Sequence, residues 1–148
     1  MEVTVAKSAG FCFGVKRAID TVYQEIEKGE QVFTLGPIIH NEQVVQELAD
    51  KGVRVIHSLE ELADIKEGTV VIRSHGVSEK VIRQLEKYDI KIVDATCPFV
   101  SKIHRIVQQK YREGYRIVII GSRTHPEVEG INGWCEDSAT VIETVDEA

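Results

Sequence analysis

Residues 9–16 read Ala9-Gly10-Phe11-Cys12-Phe13-Gly14-Val15-Lys16 and place a cysteine between two glycines. The apolar run at residues 3–6 predicts a strand before this turn, and apolar side chains at helical spacing predict a helix over about residues 13–28 after it. Cys12 is therefore expected at a helix N-terminus, whose positive end stabilises a thiolate. A thiolate there suits metal binding or redox chemistry, whereas the alternative is a small buried side chain.

The composition describes a globular chain that carries no general signature of nucleic-acid or membrane binding. The 148 residues are 43% hydrophobic and 28% charged, with a net charge of −6. No apolar run approaches the length of a membrane span, and the N-terminus lacks the pattern of a signal peptide. Three cysteines, an odd number, argue against a disulfide framework, so a reduced cytoplasmic location is expected.

Predicted strands and helices alternate along the whole chain. Further strands are predicted at residues 32–35, 53–56, 69–73, 90–93, 115–120 and 140–142, with helical patterns between most of them. This alternation predicts an α/β fold with mostly parallel sheets. Ligands of such sheets bind beyond the carboxyl ends of the strands. The cysteines and histidines that directly follow predicted strands are Cys12, His40, His75, Cys97 and His125. By contrast, His104 lies within a predicted helix and is interpreted as a surface or packing residue.

The sequence repeats itself at a spacing of 85 residues. The matching residues are Cys12 and Cys97, Gly36 and Gly121, His40 and His125, and Glu42 and Glu127. Repeats of this kind indicate related structural units. We expect a first unit at residues 1–89 and a second at 90–148. The second is expected to be incomplete, because its counterpart of residues 69–75 would lie beyond Ala148, and a third unit would be absent from this chain.

The two cysteines at equivalent turns leave three interpretations open. With a third cysteine from a missing unit, Cys12 and Cys97 would hold an iron–sulfur cluster. Two cysteines and two histidines would instead hold zinc, although the local spacings typical of zinc sites are absent. In the third interpretation, both cysteines simply pack in the core. Cys135 has no partner in the repeat, so a packing role is expected for it.

Three histidines predict a pocket for an anion. His40, His75 and His125 all follow predicted strands, and an imidazole N–H donates hydrogen bonds to phosphate. Glu127 follows closely and could relay a proton in an enclosed pocket, although an acidic residue is also favoured in a first helical turn for electrostatic reasons. Neither a P-loop nor a G-x-G-x-x-G pattern is present, so nucleotide binding has little support.

Five motifs, in this order, resemble the 4-hydroxy-3-methylbut-2-enyl diphosphate reductase family, the last enzyme of the methylerythritol phosphate route to isoprenoids. They read AGFCFGV at residues 9–15, GPIIHN at 36–41, RSHGV at 73–77, DATCP at 94–98 and HPEV at 125–128. The resemblance covers essentially the whole chain, but only about the N-terminal half of the family's length.

The resemblance implies a trefoil-like architecture of three α/β units around a 4Fe–4S cluster. It implies that Cys12 and Cys97 are cluster ligands, that His40, His75 and His125 hold the diphosphate, and that Glu127 delivers protons. The implied reaction is a two-electron reductive dehydroxylation that gives isopentenyl and dimethylallyl diphosphates, with electrons from ferredoxin or flavodoxin. The family's third cluster cysteine has no counterpart in residues 1–148, so this chain alone is expected to lack a stable cluster.

A second functional class remains open. The chain could be a non-catalytic metal-binding or interaction domain that reuses the same fold. That alternative predicts zinc or no metal, and no affinity for a prenyl diphosphate.

Overall fold

The computed structural model describes residues 2–148 as an α/β protein with two parallel sheets. The helices are α1 (Phe13–Glu27), α2 (Glu42–Asp50), α3 (Glu79–Leu85), α4 (Pro98–Arg112) and α5 (Pro126–Asn132). The strands are β1 (Val32–Leu35), β2 (Arg54–Ile56), β3 (Thr69–Ile72), β4 (Lys91–Asp94), β5 (Val118–Ile120) and β6 (Thr140–Ile142). Short 3₁₀ helices occupy Glu60–Asp64, Gly133–Cys135 and Val145–Glu147.

The larger sheet has the strand order β2-β1-β3-β4, and every neighbouring pair is parallel. Strands β5 and β6 form a separate parallel pair. The α/β fold with parallel sheets that the alternating pattern predicts is confirmed. None of the helices between residues 2 and 148 has both the length and the apolar character that crossing a bilayer requires.

The core lies on both faces of the larger sheet. All four residues of β1 and all four of β3 are buried, which fits their nearly continuous apolar sequences, VFTL and TVVI. One face packs against α1 through Ala18 and Val22, and the other packs against α3 through Leu85. These two buried strands hold the loops that follow them in fixed positions.

The repeat of 85 residues is visible in the structure. Shifting α1 (13–27) by 85 gives 98–112, and these are the bounds of α4. The parallel pair β1 and β2, with α2 between the strands, likewise corresponds to β5 and β6 with α5 between them. The boundary between the two sheets, however, does not coincide with the predicted boundary between the two units. Strand β4 lies beyond the predicted boundary at residues 89 and 90, yet it pairs with β3 in the larger sheet.

The strand predicted at residues 3–6 is not formed. Residues 2–12 are exposed and contain no strand, with Val3 74% and Val5 75% exposed. An extended segment becomes a strand only when a neighbour takes up its backbone hydrogen bonds.

Candidate functional site

Three histidine rings meet at the carboxyl ends of the strands. His40 precedes α2, His75 follows β3, and His125 is the N-cap residue of α5. The ring centroids are 4.4 Å apart for His40 and His75, 5.5 Å for His40 and His125, and 5.8 Å for His75 and His125. Residues up to 85 positions apart in the sequence therefore face one common space.

Hydrogen bonds hold the loops of His40 and His75 together. The buried Ser74 hydroxyl donates to the carbonyl of Ile38 at 3.0 Å, and the Ser74 backbone N–H donates to the same oxygen at 3.2 Å. Next to His40, the Asn41 side chain accepts from the Val44 backbone N–H at 3.0 Å and caps α2. These contacts fix the backbone on which both rings stand.

His75 has an uncharged ring at neutral pH. Burial, followed by charge repulsion from the neighbouring His40, Arg73 and His125, lowers the pKa of His75 from 6.5 to about 4. Its Nδ1 atom is buried and has no hydrogen-bond partner in the structure. An incoming negative group would relieve the repulsion and offer His75 a hydrogen-bond acceptor.

The ring of His125 is held as one tautomer. Its Nδ1 accepts a hydrogen bond from the backbone N–H of Glu127 at 3.2 Å. An imidazole nitrogen that accepts cannot carry the proton, so in the neutral ring the proton resides on Nε2. His125 is exposed and Glu127 half-buried, so both side chains remain within reach of a ligand.

Arg73 adds a positive charge that the sequence reasoning did not assign to the site. Its guanidinium packs against Gly36, where an added Cβ would lie 2.6 Å from Nη1. The backbone φ of +72° at Gly36 also favours glycine. Burial lowers the pKa of Arg73, and the nearby Glu129 carboxylate offsets part of that effect. Its position between β3 and Ser74-His75 is the signal that could have identified it.

The two predicted cluster cysteines begin equivalent helices. Cys12 is the N-cap residue of α1 and Cys97 that of α4, and neither thiol caps its helix by a hydrogen bond. Cys12 is exposed and Cys97 half-buried, and both are free thiols. The Cys97 backbone N–H donates to the Ser74 carbonyl at 2.9 Å, which joins the cysteine turn to the histidine loop.

Arg17 ties the two cysteine-bearing turns to each other. Its guanidinium donates to the carbonyls of Thr96 at 3.0 Å and Asp94 at 3.4 Å, just before Cys97. Sequence reasoning missed this residue, because an arginine at helical spacing after Cys12 looks like an ordinary surface residue. Its contacts hold α1 against the turn between β4 and α4.

Among residues 2–148, no three His, Cys, Asp or Glu side chains are arranged to hold one metal ion. The zinc arrangement of two cysteines and two histidines is therefore not assembled. Cys135 is fully buried, and its Sγ lies 3.2 Å from the Asn132 carbonyl. Burial raises the pKa of the Cys135 thiol. The packing role expected for Cys135 is thus confirmed, as is the packing alternative for His104, which is 4% exposed.

The fold and this site define an α/β protein in which three histidine rings meet at the carboxyl ends of parallel strands and two free cysteines precede helices. A family model described as LytB protein matches residues 3–148, so the chain belongs to the LytB family. The resemblance expected from the five motifs is confirmed.

Curated relatives align with this chain over nearly its full length. The 4-hydroxy-3-methylbut-2-enyl diphosphate reductase of Thermoanaerobacter sp. (strain X514) is 54% identical, over 100% of this chain and 52% of the relative. The reductase of the same name from Clostridioides difficile (strain 630) is 45% identical, over 99% and 52%. The chain spans about half the length of the curated relatives it matches.

Solved structures agree with the fold. The E-1-hydroxy-2-methyl-but-2-enyl-4-diphosphate reductase of Plasmodium falciparum superimposes with a TM-score of 0.88 at 32% identity, over 95% of this chain and 44% of that one. A structure of (E)-4-hydroxy-3-methyl-but-2-enyl diphosphate reductase, described as the terminal enzyme of the non-mevalonate pathway, gives 0.81 at 42% identity, over 98% and 52%.

Proposed function

We propose that this chain acts as part of a 4-hydroxy-3-methylbut-2-enyl diphosphate reductase, an oxidoreductase of isoprenoid biosynthesis. The observation that carries the proposal is the meeting of three histidine rings, with centroids 4.4–5.8 Å apart, beside a buried His75 Nδ1 that lacks a partner. The relatives' shared name supports a diphosphate as the ligand of this pocket.

The three histidines bind the diphosphate in this proposal. His125 donates from Nε2, since its Nδ1 accepts from the Glu127 backbone. The negative charge of the diphosphate opposes the burial and the charge repulsion that keep the pKa of His75 low, so it favours protonation of that ring. The guanidinium of Arg73, which packs against Gly36, attracts the diphosphate over a longer distance. Arg73 and a protonated His75 thus supply positive charge in a chain whose net charge is −6.

Glu127 supplies protons to the reaction. Two electrons and two protons are consumed: the C–O bond of the allylic hydroxyl breaks, the oxygen leaves as water with one proton, and the second proton joins carbon. Glu127 is half-buried and lies two residues after His125, so its carboxyl group is placed to transfer protons to a bound substrate. We propose ferredoxin or flavodoxin as the source of the electrons, delivered one at a time.

The two cysteines fit part of an iron–sulfur site. Both thiols are free, neither is used as a helix cap, and the turns that carry them are bound together through Arg17. We propose that Cys12 and Cys97 are two ligands of a 4Fe–4S cluster and that a third thiol comes from outside residues 1–148. When bound, such a cluster supplies electron transfer and a Lewis-acidic iron.

The test uses the full-length protein that contains this chain, purified and reconstituted without oxygen. We expect about four irons and four sulfides per chain, and conversion of the substrate with a one-electron reductant. The 148-residue chain, treated in parallel, should take up little iron, because it offers two suitable thiols. Zinc in place of iron, with no binding of inorganic pyrophosphate, would favour a non-catalytic domain instead.

A further inference from the structure

His104 is a buried imidazole at the junction of the elements that carry the site. It lies on the inner face of α4, the helix that begins after Cys97, and is 4% exposed. Its ring stacks on Trp134, with centroids 5.3 Å apart and the planes inclined by 21°. The Trp134 indole N–H in turn donates to the carbonyl of Val77 at 3.0 Å. The stacked pair therefore connects α4 with the loop that carries His75.

The loop of His75 rests directly on the His104 ring. A Cβ added to Gly76 would lie 2.6 Å from the His104 Cε1, so only glycine permits this approach. Gly76 also has a φ of +71°, a conformation that other residues rarely adopt. The His104 ring thus limits how closely the backbone next to His75 can approach α4.

The contact with Gly76 is made by a ring carbon of His104 and not by its unpartnered nitrogen. The His104 Nε2 atom is buried and without a hydrogen-bond partner, which costs stability that an apolar ring of similar size would not. A Cβ on Gly130 would lie 3.7 Å from this Nε2 and 3.7 Å from the carbonyl oxygens of His75 and Gly76. The imidazole nitrogen and the two carbonyl oxygens therefore border one gap beside α5.

We infer that His104 is a positioning residue for diphosphate binding: it supports the Gly76 turn and fixes where His75 presents its ring. The inference rests on the proposed role of His75 as a diphosphate ligand. His104 acts only through His75 and touches neither substrate nor cluster. Loss of the ring at position 104 should therefore weaken diphosphate binding without changing the cluster.

The first experiment measures the dissociation constant of inorganic pyrophosphate for the cluster-loaded, full-length protein by calorimetry. His104→Ala removes the ring against which the Gly76 turn rests and is expected to weaken binding by about tenfold. His104→Phe keeps a ring of similar size against Gly76 and should retain affinity to within about threefold. His57→Gln is the control, because His57 is exposed and outside the site. Unchanged affinity in His104→Ala would overturn the inference.

A double-mutant cycle separates positioning from general destabilisation. His104→Asn should weaken pyrophosphate binding in the unsubstituted protein and in His40→Gln, but add nothing in His75→Gln. An equal effect in all three backgrounds would overturn the inference but not the proposed function. This cycle decides the question even if His104→Ala does not fold. If the unsubstituted protein binds no pyrophosphate, the proposed function falls, and the inference falls with it.

Discussion

The thiol of Cys97 lies against the backbone of Gly14. A Cβ added to Gly14 would come 2.5 Å from the Cys97 Sγ and 3.0 Å from its Cβ. The N-termini of α1 and α4 therefore pack together through a glycine, two residues after the other predicted cluster ligand, Cys12. This close approach brings two cysteines 85 positions apart in the sequence into one region.

Gly14→Ala is expected to reduce cluster incorporation. Alanine is a better helix former than glycine, so α1 should not be weakened by the backbone change itself. The new methyl group must, however, displace the Cys97 thiol from its present place. We expect the full-length protein to bind several times less iron after anaerobic reconstitution, a loss in the range seen when ligand geometry is disturbed. Lys16→Ala, at an exposed position of α1, serves as the control and should bind iron normally.

Acidification should destabilise the fold through His104. Burial lowers the pKa of His104 to about 4, from 6.5 in the unfolded chain. Between these values the unfolded chain binds more protons than the folded one, so the unfolding free energy rises with pH and falls as the pH drops from 6.5 towards 4. This one group should cost about 2 kcal/mol between pH 7.5 and pH 5.

Urea unfolding of the 148-residue chain at several pH values measures this effect. The unfolding free energy of His104→Phe should depend less steeply on pH, by the equivalent of about one proton taken up on unfolding. His57→Gln should show the same pH dependence as the unsubstituted chain. Identical slopes for His104→Phe and the unsubstituted chain would show that His104 titrates normally. His75, whose pKa is also lowered to about 4, should act in the same direction in both proteins and cancel in the comparison.

Glu127→Gln should abolish most turnover and leave the cluster intact. Glutamine keeps the size and the helix start but cannot hold a transferable proton, so a loss of about 10²- to 10⁴-fold in kcat is expected. The repeat provides a matched control, since Glu42 occupies the corresponding place in the first turn of α2. Glu42→Gln should retain activity. Normal turnover in Glu127→Gln would remove this carboxylate from the mechanism.

The sequence predicted the regular elements well where local signals are strong. The strands at residues 32–35 and 140–142 have the predicted bounds, and helix α1 ends one residue before its predicted end. The spacing of hydrophobic residues and the glycines that end helices are local signals, so they can be recognised from the sequence without a structure. The strand predicted at residues 3–6 failed because a strand depends on a distant partner, which apolar character alone does not supply.

The residues of the candidate site likewise fall into those that the sequence could predict and those that it could not. His40, His75 and His125 could be grouped in advance, because carboxyl ends of parallel strands meet at one edge of a sheet. Arg17, Arg73 and His104 could not be grouped with them. Their roles depend on what they touch across the fold: the Thr96 carbonyl, Gly36 and Gly76 respectively. Such contacts leave no periodic signature in the sequence.

Cys135→Ser should leave the iron content of the full-length protein unchanged. Cys135 is fully buried in a cluster with Val107 and Ile131, and its Sγ contacts the Asn132 carbonyl rather than either of the other cysteines. Burying a hydroxyl among these apolar side chains should lower stability by roughly 1–2 kcal/mol. Thermal unfolding and iron analysis of the same preparation test both statements. Cys97→Ser, by contrast, should lose iron, and iron loss in Cys135→Ser would mean that the buried cysteine moves to serve as a cluster ligand.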